Sequence, residues 1–214
     1  MIAAARCARR TLKIAGIVVL VKAALSIAIQ LHPIPTPPIF RFLLNNRVRR
    51  RYRDPPATLA RIGVEPGMHV LDLGSGAGLF TAAAAHLLGD TGLLLCLDLQ
   101  PAMLLPLQRM VGVAGLANVR LYAADASALP LAGGSIDLAY LIAVLPMLAD
   151  KPRALAELRR VLKPGGVLAV SEELLEPEYV PACVTEWWCR WAGFSLRARY
   201  GSAWCYTLVF RADG

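Results

Sequence analysis

A chain of 214 residues holds one domain plus an appendage, and its 57% apolar content exceeds the roughly one half typical of soluble domains. Residues 1–53 carry eleven Lys/Arg and no acid, whereas the remainder sets twelve bases against all 15 acids; this excludes nucleic acid as a partner of the main body and points to an anionic membrane surface beneath the N-terminus. Five cysteines, odd in number and without a CxxC pair, carry little information and fit a reducing cytoplasm, and three scattered histidines without clustered ligands argue against a metal site.

Ile14–Leu31 is an 18-residue apolar run broken by Lys22, Ser26 and Gln30. As a helix it extends about 27 Å, just short of a hydrocarbon core of about 30 Å. Two readings stand side by side: a spanning helix, or one lying in the interface with its three polar residues forming a single stripe. A secretory signal is a third, weaker reading. Six Arg after the run against four bases before it favour a cytoplasmic main domain. His32–Pro38 (HPIPTPP) reads as a stiff extended linker that ends a first unit, residues 1–38. Residues 39–53 (IFRFLLNNRVRRRYR) mix apolar and basic positions. They read either as a solvated capping helix or as an amphipathic element, with Phe40, Phe42, Leu43 and Leu44 in lipid and Arg47 and Arg49–Arg51 at phosphates.

From residue 54 to 214 strands and helices alternate. The expected elements are helix 56–62, strand 69–73, helix 79–88, strand 93–98, helix 101–113, strands 119–124 and 135–142, helix 151–162 and strand 166–172. A closing pair, 195–200 and 204–210, follows a Gly193-Phe194 turn. The pattern predicts an α/β, doubly wound, Rossmann-like sheet of seven strands, mostly parallel with a C-terminal antiparallel hairpin, preceded by the N-terminal apolar helix. Ligands of such sheets sit at the carboxyl ends of the strands.

Residues 70–78 (VLDLGSGAG) concentrate the functional signal. A buried strand runs into a glycine turn, where Gly74, Ser75, Gly76 and Gly78 let the backbone approach a ligand ahead of a helix N-terminus. The third glycine of a dinucleotide fingerprint is missing. Asp72 lies before the loop, where a carboxylate disfavours a pyrophosphate and suits a cationic, amino-acid-like ligand.

This pattern resembles the first motif of the class I S-adenosylmethionine-dependent methyltransferases, and further segments follow in the order that family shows. LLLCLD (93–98) ends in Asp98 about 20 residues past the glycines, where a carboxylate accepts two ribose hydroxyls. VRLYAADA (119–126), SIDLAYLI (135–142) and RRVLKPGGVLAVSE (159–172) resemble the family's later strands, the last with a turn at Lys163–Gly166. The resemblance implies S-adenosyl-L-methionine as cofactor. It assigns Asp72 to the donor's amino-acid end, Asp98 to the ribose, Leu99 and Met103 to the adenine face, and Asp125 and Ala126 to the adenine edge. Ile142 and Ala143 are placed along the pocket through their backbone. The competing roles are structural: turn glycines, helix or turn caps for Asp72 and Asp125, and core packing for Met103.

Methyl transfer from a sulfonium needs alignment rather than a catalytic triad. Where many small-molecule relatives carry a His after the fourth strand, this chain reads LIAVLPM (141–147). No catalytic residue is assigned; the nearest acids are Glu172 and Glu173, which read equally as a solvated strand exit. Tyr52, Tyr200, Trp204 and Tyr206 are candidate acceptor walls or packing residues. The expected activity is methyl transfer to a small or lipid acceptor at a membrane, with a quinone precursor or phospholipid as examples. The alternatives are a protein or soluble-metabolite methyltransferase and a non-catalytic donor-binding protein.

Overall fold

The computed structural model describes residues 53–213, together with Ala24 as an isolated helical position. The expected N-terminal apolar helix, the linker and all but the last residue of the basic segment lie outside the described residues. Among those described, no helix is long and apolar enough to cross a membrane.

Helix α1 (Pro55–Ile62) opens with prolines in its first turn and stops at Gly63, whose left-handed backbone supplies the C-cap. Strand β1 (His69–Leu73), helix α2 (Thr81–Leu88), strand β2 (Leu93–Asp98), helix α3 (Pro101–Val113) and strand β3 (Val119–Ala123) form the first wing. Strand β4 (Ile136–Ile142), a 3-10 turn (Leu145–Met147), helix α4 (Lys151–Val161) and strand β5 (Leu162–Glu173) begin the second. Helix α5 (Ala182–Trp191) and strands β6 (Phe194–Gly201) and β7 (Cys205–Ala212) complete it.

The seven strands lie in the order β3-β2-β1-β4-β5-β7-β6. The first five pair in parallel, and β7 pairs antiparallel with both β5 and β6. Both sheet faces are covered, so β1 and β2 read as continuous apolar runs rather than alternating ones. Leu71, Leu73, Leu95 and Leu97 pack with α4 and α5 on one face. Val70, Leu94, Cys96 and Tyr140 pack with α1, α2 and α3 on the other. The order of strands reverses between β1 and β4, which opens a crevice at their carboxyl ends.

Three expectations are corrected. Helix α2 begins at Thr81 rather than 79, because the glycine turn continues through Phe80. Lys163–Gly166 is an irregularity inside a longer β5, not a free turn: Ile136 pairs with Leu162, but Leu138 pairs with Val167. Helix α5 was not foreseen; its ten residues (ACVTEWWCRW) bury Thr185 and Cys189 while presenting tryptophans outward, which hides the amphipathic pattern.

Candidate functional site

The glycine turn is fixed by a fork of backbone bonds. The N–H groups of Gly74 and Ser75 both donate to the Leu97 carbonyl, at 2.7 and 3.1 Å, which ties the end of β1 to the end of β2. Gly74 has φ 77°, and a Cβ built there would fall 2.4 Å from Val144 Cγ2, so a side chain is excluded by both conformation and space. The Gly76 N–H donates to Asp98 Oδ2 at 2.9 Å, and the Gln100 N–H donates to Asp98 Oδ1 at 2.9 Å. Each Asp98 oxygen therefore keeps lone-pair capacity while its orientation is locked. Burial raises its pKa and the two backbone donors temper that rise.

Asp72 sits in register between Cys96 of β2 and Tyr140 of β4, in the middle of the sheet and 4% exposed. Burial pushes its carboxyl up to about 7; the neighbouring Tyr140 hydroxyl tempers the rise and the Asp98 charge adds to it. A buried carboxyl of this kind gains most when a cation arrives beside it. Asp125 is its opposite: the Ser127 N–H donates to Oδ1 at 2.8 Å, and this bond holds its carboxyl below the usual range.

These groups line one cavity. Asp72, Gly74, Ser75, Gly76, Asp98, Leu99, Met103, Asp125, Ala126 and Ile142 all border it. Gly78 does not; it has φ 82°, and a Cβ there would meet Leu107 Cδ1 of α3 at 2.4 Å, so its role is packing. Beyond the three aspartates the wall is apolar, formed by Val144, Met147, Leu148 and Ala154, with Asp150 and Glu176 as its acids. Ala143, at the junction of the two parts, has φ 57°, an uncommon conformation for a residue with a side chain. Its N–H donates to the Ser171 carbonyl at 2.7 Å, which holds the bend.

Glu172 and Glu173 require correction. Neither borders the cavity and neither is solvated, at 1% and 2% exposure. Arg53 Nε donates to Glu173 Oε2 at 2.9 Å, and Arg53 Nη1 bonds the Ser171 hydroxyl. Burial drives the Glu172 carboxyl well above the ordinary carboxylate range. Of the candidate acceptor walls, Tyr206 is buried with its hydroxyl on the Val180 carbonyl (2.8 Å), and Tyr200 stacks under Arg61. Trp204 is exposed and Tyr52 lies outside the described residues; none of the three described borders the cavity. Glu176, in the loop after β5, was missed because nothing in LLEPE separates an inward acid from a solvated one.

Residues 71–170, just under half of the chain, match the family model described as a methyltransferase domain. A ubiquinone/menaquinone biosynthesis C-methyltransferase of Teredinibacter turnerae is 39% identical over 129 residues, covering 57% of this chain and 52% of that protein. A Shewanella halifaxensis protein of the same name is 38% identical over 118 residues, covering 54% and 46%. The chain thus spans about half the length of the curated relatives it matches. The fold is that of a SAM-dependent methyltransferase from Aquifex aeolicus, with a TM-score of 0.78 over 82% of this chain and 98% of that one at 24% identity.

The matched segment is similar to a methyltransferase domain, and its fold is shared with an enzyme that depends on S-adenosylmethionine. The lining fits that cofactor. Carboxylates match a molecule with an amino group, two vicinal hydroxyls and an exocyclic amine. The Ser75 hydroxyl is buried on the glycine turn without a hydrogen-bond partner among the described residues, as expected of a group reserved for a ligand.

Proposed function

We propose that this protein transfers the methyl group of S-adenosylmethionine to a small lipophilic acceptor, a quinone precursor, phospholipid or other lipid, at a membrane surface. The reading is carried by the two-part lining of the cavity, with three carboxylates toward β1–β3 and an apolar wall of Val144, Met147 and Leu148 beyond β4. When bound, the donor supplies an already activated methyl, so the chain's task is to hold, align and exclude water. Asp72 holds the amino group, Asp98 the ribose hydroxyls and Asp125 the adenine amine. Leu99, Met103 and Ala126 offer the base its apolar surface, Ile142 borders the donor, and Ser75 contacts its polar end. Gly74 and Gly76 keep the turn close. Asp150 is committed to capping α4, accepting the Arg153 N–H at 3.0 Å. Glu176, which borders the apolar part of the cavity from the loop after β5, is the acid we assign to taking a proton from the acceptor.

Relatives named for quinone biosynthesis support a lipophilic acceptor. The acid-free, basic residues 1–53 support an anionic surface, with residues 1–38 attaching, 39–53 as a basic collar and the domain on the cytoplasmic side. Labelled donor incubated with a lipid extract and, separately, with a water-soluble extract decides the acceptor class; label in soluble metabolites alone overturns the lipid reading. A second reading, donor binding with other or no chemistry, draws on the absence of a histidine from the cavity wall among the described residues. It draws also on the fold shared with the cyclase SpnF, at a TM-score of 0.65 and 19% identity. Measurable methyl transfer to any acceptor eliminates it.

A further inference from the structure

Helix α5 is the most aromatic element among the described residues, and its outer face is unexplained by packing. Trp187 and Trp191, one turn apart, are 57% and 80% exposed, with ring centroids 6.1 Å from each other. The opposite face is fully used: Thr185 bonds the Tyr206 hydroxyl at 2.7 Å, Cys189 is buried, and Trp188 lies under Lys151. Two large exposed indoles side by side are costly in water and mark a contact surface.

The surrounding charge identifies the contact. Arg190 and Arg199 both bind Glu186, at 2.9 and 2.7 Å, so one carboxylate serves two guanidinium groups. Arg197 on the same edge strand is exposed. Residues 182–213 hold four Arg against Glu186 and Asp213, whereas residues 54–181 hold eight bases against thirteen acids. The aromatic face thus lies in a segment of net positive charge within a domain that is acidic overall. Pairing of this face with a second copy would bring like net charge toward like, which is unfavourable. Paired indoles flanked by arginines match the headgroup layer of an anionic bilayer, where the rings enter the interface and the guanidinium groups meet phosphates.

We infer that the outer face of α5, through Trp187 and Trp191 with Arg190 and Arg197, is a docking surface for anionic lipid headgroups. This contact is separate from any made by residues 1–53, and it stands or falls apart from the methyltransferase reading.

The chain has four tryptophans, so Trp188→Phe/Trp204→Phe in the full chain leaves Trp187 and Trp191 as the only indoles. Mixed with equimolar phosphatidylglycerol/phosphatidylcholine vesicles carrying bromine in the upper acyl chains, this variant is expected to lose about half its emission or more as the indoles reach the interface. Sedimentation with the vesicles at unchanged emission overturns the inference, because attachment then runs through another part of the chain. So does failure to sediment, or equal quenching on vesicles of phosphatidylcholine alone. Trp187→Ser/Trp191→Ser in the otherwise native chain is expected to weaken vesicle binding roughly tenfold, as the apolar area removed from the interface implies. Its heat of donor binding stays unchanged, which verifies the fold. A dimer in sedimentation that this double variant dissolves overturns the inference in favour of a second copy.

Discussion

The donor-facing and acceptor-facing parts of the cavity are built by different means. On the β1–β3 side, Asp98, Asp125 and the glycine turn are held by backbone groups, the N–H donors of Gly76, Gln100 and Ser127 and the Leu97 carbonyl. On the β4–β5 side a backbone bond from Ala143 to Ser171 holds the bend, and long-range side-chain contacts stand behind it: Arg53 reaches 120 residues along the chain to Glu173 and, beside it, to Ser171. A backbone-held site is written in short local motifs. One held by distant side chains is not, and its stability depends on single contacts.

The largest effect should come from the second kind. Arg53→Ala removes one side of the buried Arg53–Glu173 ion pair, and loss of about 3–5 kcal/mol in urea unfolding is expected. Arg53→Met/Glu173→Met, which removes both charges, should recover most of it. If the single variant unfolds like the native chain, the contrast between the two parts collapses.

Asp72→Asn tests the first part with an opposite sign. In the folded chain this carboxyl holds its proton up to about pH 7, whereas unfolded it releases it near its ordinary value of 3.8. Between those values the folded state binds the extra proton, so stability of the donor-free protein falls as pH rises from about 4 to 7 and levels off above. Asn carries no such penalty, and at pH 8 the variant should be more stable by at most about 4 kcal/mol. Donor affinity in the native chain should rise with pH through 7, as the carboxylate forms, and the variant should lose this dependence. Calorimetry against S-adenosylmethionine across pH 5–9 checks both.

Glu176→Gln separates the parts kinetically. Turnover is expected to fall about a hundredfold, as for loss of one proton-accepting group, with the donor dissociation constant unchanged. Asp98→Ala should do the converse, weakening donor binding by about 1–3 kcal/mol through lost charge-assisted hydrogen bonds. An equal effect of both variants on donor binding would mean that the cavity is not divided as described.

The same division explains what was legible in the sequence. Strand-turn-helix at 69–88 and the acids ending β2 and following β3 are local patterns, and the order of the sheet follows from their alternation. Glu172, Glu173 and Glu176 sit within five residues of one another, yet one is buried with its pKa pushed up, one is ion-paired and one faces the cavity. No spacing rule separates them, because Arg53 and the turn after β5 decide their fates. Helix α5 escaped for a related reason: its exposed tryptophans blur the apolar stripe that marks a helix.

The smallest effect lies at the seam. Ala143 joins β4 to the apolar wall with φ 57°, and the adjoining Val144 occupies the space a Gly74 side chain would need. The left-handed backbone costs a non-glycine residue about 1–2 kcal/mol, while glycine gives back about 0.5–1 kcal/mol in unfolded-state entropy. Ala143→Gly is therefore expected to be neutral to stabilising by about 1 kcal/mol. If the bend serves alignment rather than mere connection, the gain should come with slower turnover at saturating donor, because a looser seam lets the acceptor wall drift from the methyl group. A variant that is both more stable and equally fast would show that the strain at Ala143 connects the two parts without setting their registration.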